Sequence, residues 1–455
     1  MPAPSPSRHF LPAETTRGPL GGAALAASAL GVVLAGAAVL LPGAYLLALA
    51  AAAAACLVAL ALVFPVTATA CWLLAVGTMP DMWLDQVAGI GAPSVIAATK
   101  VAGLVLAGCC ALRWCLRADP FNPAWAYGAM FAIGLAHGLP PYLSLGESLR
   151  SLLGSAAPFA FSCVYLPRRW SRTVARVVQL VPAFALLLGA GMAAAGVRPL
   201  FSGDGLRLAG PGHPAFLAGF ALAGIWASLL ALFIGGRRRD LALLALNYVI
   251  LVLTGARAPL GIACVVTLVA LVAVPSAAFG ARLRAGVGLA AAAGTLALVL
   301  LSEVTGAVRI LGVLRGDAEG LSGRDLMWPY FRAAWDASPW VGWGVGAGKE
   351  LVPVDAPLAR LLGTNAAHNE YLRIGVEGGW VGLVLLIGSF VLWTWWHTRR
   401  LPVTERRLLR LVMAGVAVHA YTDNVLIATT ASVLFAWVSA AFAGGAGSLA
   451  RGETG

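Results

Sequence analysis

The stretch TNAAHNEYLRIGVEGGWVG, Thr364 to Gly382, sets a histidine, an asparagine, two glutamates and an arginine just ahead of an apolar run, in a chain that is 60% hydrophobic and only 11% charged. An imidazole with a pKa near ~6.5 is mostly neutral at neutral pH and can take a proton from a hydroxyl, which makes His368 a candidate general base. Asn369 beside it can fix the geometry of the loop. A guanidinium stays ionised and grips phosphate oxygens in a bidentate fork, so arginines at a membrane surface can hold an anionic group. Arg257 in LTGARAPLGI stands at the mouth of an apolar span, and Arg324 in SGRDLMWPYF lies in a long polar segment. Arg207 and His213 share the loop SGDGLRLAGPGHP, and Asp423 in HAYTDNVL can orient an imidazole or simply end a helix. Plainer uses exist for each: a snorkelling anchor for Arg257, an ion pair with Asp325 or Glu319 for Arg324, and solvation for the loop residues. The six histidines (His9, His137, His213, His368, His397, His419) are scattered without ligand spacing and no Asp-x-Asp pair occurs, so neither a metal site nor a cofactor is expected.

The elements that must position these groups are membrane helices. With 455 residues and a mean hydropathy of +0.86, the chain carries more apolar surface than a water-soluble core can hide. The fold class expected is an all-α polytopic membrane protein of about 12–14 transmembrane helices with one large, partly helical loop on the periplasmic side. Uncharged windows long enough to cross ~30 Å of hydrocarbon fall at 22–41, 44–64, 66–80, 93–112, 122–138, 151–166, 177–196, 214–234, 241–254, 258–275, 285–302, 378–396, 411–422 and 428–446. They divide the chain into an N-terminal helix bundle (1–302), the large loop (303–377) and C-terminal helices (378–455).

Basic residues cluster at Arg113/Arg117, Arg168 to Arg176, Arg237 to Arg239, Arg282/Arg284 and Arg399 to Arg407. With both termini inside, every cluster falls on the cytoplasmic face and 303–377 on the outer one. The same rule accounts for most of the net charge of +12, and without a basic aromatic surface nucleic acid is not an expected partner. The N-terminal apolar run, behind Arg8 and Arg17, has the length of a retained anchor. All but one of the cysteines lie in apolar spans, with Cys115 at a span's edge, and read as small buried hydrophobes. Lys100, inside a span, needs a partner or the interface, while Asp81 and Asp85 flank Trp83 in what reads as a solvated outer hairpin.

The outer segment carries enough aromatic residues to pack or to hold a ligand. Met327, Phe331 and Trp335 recur at i, i+4, capped by Ser322 and stopped at Ser338-Pro339, which predicts a helix. The alternating glycines of VGWGVGAG fit neither a Walker loop nor a dinucleotide fingerprint and predict a tight turn back towards the membrane. If the chain is helical from His368, then His368, Leu372, Gly375, Gly379 and Gly382 share one face, and the glycines let it approach a neighbour closely.

His368-Asn369, nine residues, then Gly379-x-x-Gly382 resembles the signature of the O-antigen ligase family, which overlaps with bacterial surface-polysaccharide polymerases. LTGARAPLGI is similar to that family's arginine-bearing segment and SGRDLMWPYF with PWVGWGVGAG to its outer-loop core, so the likeness spans roughly residues 200–430. The resemblance implies a metal-independent membrane glycosyltransferase of the bacterial inner membrane. Its donor would be a glycan on undecaprenyl pyrophosphate and its acceptor a sugar hydroxyl of lipid A core. It implies essential roles for Arg257, Arg324, His368 and Asp423; from their own place in an outward-facing loop, Arg207 is a candidate for the donor pyrophosphate and His213 for support, with Asn369, Gly379 and Gly382 shaping the motif. It also implies twelve membrane helices, where the hydropathy windows give fourteen. A polymerase working on the same carrier, or a transporter of lipid-linked glycan, are the alternatives; a transporter would more naturally carry broken helices or paired charges deep in the membrane.

Overall fold

The computed structural model describes residues 55, 57–89, 91–202, 207–282, 284–290, 324–362 and 364–444. It divides into two compact units, Met1–Ala68 and Thr69–Gly455. The described part of the first is helical except at residue 64, and all the candidate residues belong to the second.

Among the described residues the protein is all-α: two isolated bridges, Leu116 with Val164 and Phe201 with Leu208, are its only extended pairings. The main helices are α1 (Pro65–Gly77), α2 (Ala92–Trp114), α3 (Pro123–His137), α4 (Leu145–Ala156), α5 (Arg168–Ala194), α6 (Pro214–Gly235), α7 (Arg238–Leu253), α8 (Arg257–Ala273), α9 (Arg324–Ala337), α10 (Glu370–Thr398), α11 (Val403–Thr422) and α12 (Thr429–Phe442). Four of them, α2, α5, α6 and α10, are long and apolar enough to cross a membrane, and α8 and α12 are shorter apolar helices. This is a polytopic membrane protein with helical loops.

α6 is hydrophobic all round and sits at the centre, packed against α5, α7, α8, α11 and α12. Around it, α8 and α10 leave Val265, Leu268, Val272, Val384 and Val391 exposed, as outer faces do when the solvent is hydrocarbon. Cys109 and Cys110 are buried, but Cys71 and Cys264 are exposed on such outer faces, where a thiol meets lipid instead of a core.

Several expectations change. Spans 22–41, much of 44–64 and most of 285–302 lie outside the described residues, as does Ser322. The span expected at 151–166 is no single helix: α4 ends at Ala156 and a 3-10 turn, Ala157–Cys163, follows, because Pro158 offers no amide to continue the ladder. Asp81 is not solvated. The Pro80–Met82 turn buries it, and the Thr429 hydroxyl at the head of α12 donates to it at 3.4 Å, while Asp85 stays exposed.

Hydrogen bonds between helix ends gather them into two groups. In one, Arg172, Arg237 and Arg239 lie within electrostatic reach of Arg176, and Arg407 donates to the last carbonyl of α8 at 3.0 Å. The end of α10 is held there too, where Asp119 accepts from Ser162, Trp393 and His397 at 2.7, 2.9 and 3.2 Å. The other group takes in the ends of α5, α7 and α11, the starts of α6, α8, α10 and α12, and the segment built on α9.

Candidate active site

The helix expected from His368 begins two residues later. Asn369 is its N-cap, with an extended backbone and a buried side chain whose Oδ1 accepts from the Tyr371 and Leu372 amides at 3.0 and 3.2 Å. Such a cap lends the helix its missing acceptor and turns the preceding chain away from the helix axis. His368 therefore does not share the glycine face of α10. It stands in a left-handed turn at φ 47°, a conformation that costs a non-glycine residue about 1–3 kcal/mol and collects at functional sites. The turn is held from outside by the Trp328 indole of α9, which donates to the Ala367 carbonyl at 3.0 Å.

This turn aims the imidazole at the end of α11. Nδ1 lies 3.0 Å from Asp423 Oδ1, and Nε2 lies 3.1 Å from the hydroxyl of Thr364. A carboxylate accepts only, so it fixes the proton on Nδ1 and leaves Nε2 of a neutral ring as the acceptor. Burial draws the Asp423 carboxyl up, but the His368 hydrogen bond, the neighbouring His419 and His368 charges and the Asn424 amide outweigh it and hold the group at about 2. An oriented imidazole with a lone pair facing a hydroxyl is the arrangement of a general base. Thr364 and His419 were given no role on the sequence. Thr364 meets the ring because the positive φ of His368 folds the loop back on itself, and His419 stands one helical turn before Asp423.

Gly379 and Gly382 do structural work of two kinds. Gly379 breaks α10 with φ 58° and ψ −157°. The break frees the amides of Trp380 and Val381, which donate to the carbonyls of Pro339 and Trp340 at 2.8 and 3.0 Å. In return, Trp343 and Gly344 donate to the carbonyls of Val376 and Glu377 at 2.8 and 2.9 Å. The VGWGVGAG run is thus a latch on the kink of α10, and a Cβ on Gly342 would lie 2.5 Å from the Gly378 nitrogen. A Cβ on Gly382 would instead meet Met130 Sδ of α3 at 2.6 Å. Behind the latch, α9 buries Met327 and Phe331 against Ala347, Val352 and Val376, as its sequence spacing implies.

The cationic candidates gather less completely. Arg207 Nε donates to the Thr254 carbonyl at 3.0 Å, and the Leu208 amide to the Leu253 carbonyl at 2.8 Å, so this loop lies against the turn that leads into Arg257. Arg257 is the first residue of α8 and half-buried, and its side chain makes no hydrogen bond or ion pair to another described residue. His213 caps α6 through Nδ1, which accepts the Ala215 amide at 3.2 Å. Desolvation, and after it the Arg207 charge, lowers its pKa, and His368 and Asp423 are also within its electrostatic reach. Arg207, His368 and Asp423 therefore all lie within electrostatic reach of His213 at this end of the bundle. Arg324 opens α9, and its side chain lies outside the described residues.

The two glutamates and the arginine of the Thr364–Gly382 stretch, which the sequence left without a role, form a charged cluster on α10. Arg373 Nε donates to Glu370 Oε2 at 2.5 Å and Nη1 to Glu377 Oε2 at 2.8 Å, and the Tyr127 hydroxyl lies 3.5 Å from Nη2. All four side chains are buried. The i, i+3 and i, i+4 spacing was the available signal. No group of three or more His, Cys, Asp or Glu side chains suited to a metal ion occurs among the described residues.

Residues 241–387 match the family model described as O-antigen ligase. No curated protein matches the chain. The matched stretch holds Arg257, Arg324, His368, Asn369, Gly379 and Gly382, while Arg207, His213 and Asp423 fall outside it. Over that part of its length the chain is similar to the O-antigen ligase family, which supports an enzymatic, glycan-handling role in general.

Proposed function

We propose that this protein is a glycosyltransferase of the O-antigen ligase type, moving a glycan from undecaprenyl pyrophosphate to a sugar hydroxyl of lipid A core on the periplasmic side of the bacterial inner membrane. The observation that carries this reading is His368, held by Asp423 on Nδ1 and facing a hydroxyl at Nε2, at the end of the bundle that also holds Arg207 and the start of α8. The acceptor hydroxyl takes the place of Thr364 at Nε2 and gives its proton to the ring. Its oxygen bonds to the anomeric carbon as the bond from that carbon to the phosphate oxygen breaks, and the pyrophosphate leaves with the electron pair. Arg257 and Arg324, with Arg207, meet the charge that develops there, each donor contributing on the order of 3 kcal/mol to the transition state. The imidazolium then releases its proton to solvent. Fixed guanidiniums supply the charge neutralisation for which other transferases use a divalent ion, so we propose a metal-independent reaction.

The test is transfer by purified protein given an undecaprenyl-pyrophosphate glycan and either lipid A core or a second carrier-linked unit, with and without EDTA. Product on lipid A core supports the ligase. Growth on the carrier makes the protein a polymerase using the same site, and activity lost to EDTA refutes the metal-independent mechanism. His368→Ala should abolish transfer while donor binding survives; normal turnover by that variant would remove the general base.

A further inference from the structure

Asp423 is carried by a short connector, 423–428, between α11 and α12, and three charged side chains grip this segment or its junction with α12. Glu370 Oε1, the oxygen that Arg373 does not use, accepts the Leu426 amide at 2.8 Å. Lys100 Nζ, from α2, donates to the Ile427 carbonyl at 2.7 Å. Asp81 accepts from the Thr429 hydroxyl. Neither Glu370 nor Lys100 is hydrogen-bonded to His368 or Asp423, and both are buried. Buried charges are costly in a membrane bundle, and well-packed apolar residues often serve stability as well or better. What the charges supply is directional attachment of a peptide backbone that has no ladder of its own.

We propose that Glu370 and Lys100 are positioning residues for the imidazole–carboxylate pair, fixing the Leu426 amide and the Ile427 carbonyl so that Asp423 stays on Nδ1 of His368. Glu370 is suited to this because its backbone follows His368 by two residues while its side chain holds the segment that follows Asp423. One residue thereby ties together two partners 55 positions apart. The proposal rests on reading His368 as the base.

Lys100→Met removes the donor and keeps an unbranched side chain; Lys100→Gln is the second variant should the first not fold. Two readouts on the full-length protein separate the proposal from the reading beneath it. Hydrogen exchange should rise at 423–428 and not in α6. In the transfer assay kcat should fall on the order of 10²-fold, the effect of about 1 Å of misplacement, with the donor KM unchanged. Glu370→Gln, which keeps an acceptor for Leu426, should retain most of the activity that Glu370→Leu loses. In an Asp423→Asn background, Lys100→Met should cost nothing further, because its effect runs through Asp423. Unchanged exchange at 423–428 overturns the proposal, and so does the same fold-loss in both backgrounds. If the wild-type protein transfers no glycan, the functional reading falls and the exchange result alone decides the positioning.

Discussion

Alanine at Gly379 is the most direct challenge to the way α10 carries the site. A Cβ there would stand 2.4 Å from the Trp340 carbonyl carbon, 2.5 Å from its oxygen and 2.6 Å from the Pro339 oxygen, all backbone atoms that cannot rotate away. The backbone pair of φ 58° and ψ −157° lies in a region used almost only by glycine, which costs another residue about 1–3 kcal/mol. Relieving the clash separates the kink from the latch and leaves the Trp380 and Val381 amides without acceptors, at about 1–3 kcal/mol each. Together these set a floor of about 3 kcal/mol, a large share of the ~5–15 kcal/mol that holds a typical domain. Two sister substitutions calibrate the measurement. Gly382→Ala meets the far end of the flexible Met130 side chain, which can give, and Gly388→Ala meets nothing within 4 Å and should be neutral or slightly stabilising. Thermal melting of the three variants in detergent should rank Gly379→Ala lowest, Gly382→Ala between, and Gly388→Ala at or above wild type. If Gly379→Ala melted with Gly388→Ala, the kink would not depend on glycine and the latch would not be what orders the loop.

Other outcomes follow from the geometry of the site. The folded pKa of Asp423, about 2, lies below the ordinary 3.8, so its contribution is complete above pH 3.8 and is lost as pH falls through about 2. The stability difference between wild type and Asp423→Asn should be flat above that range and close on acidification; a gap that widened in acid would contradict the carboxylate's role. Arg257→Lys should cut transfer strongly while leaving melting within about 0.5 kcal/mol of wild type, since the Arg257 side chain has no hydrogen-bond or ion-pair partner among the described residues; activity retained by the lysine would deny the need for a bidentate fork. Arg207→Gln should raise the pKa of His213, read by NMR titration of labelled histidine, because Arg207 is the largest charge acting on it.

The sequence was most legible where local periodicity and burial agree. Met327 and Phe331 announced α9 and are its buried face, and the apolar windows at 93–112, 177–196, 214–234 and 378–396 coincide with the four long helices. It was misleading at His368, where glycine periodicity favoured a continuous helix and the capping power of Asn369 won. The window 151–166 failed because average hydropathy does not register Pro158. Placing Asp423 on His368, Glu370 on Leu426 and Lys100 on Ile427 required tertiary structure, since those partners are 55, 56 and 327 positions apart.

The attachment of Lys100 also sets a timetable for biogenesis. Its acceptor carbonyl at Ile427 follows it by 327 positions, which at ~5–20 residues per second is roughly 16–65 s of ribosomal synthesis. Glu370, Arg373 and Glu377 arrive together and compensate one another within a single helix, but the ammonium of α2 enters the bilayer long before its acceptor exists. Asp81, 19 positions upstream and within electrostatic reach, is the counter-ion that the nascent chain has already made. The final seating of α2 is therefore completed only when the connector to the last described helix has left the ribosome.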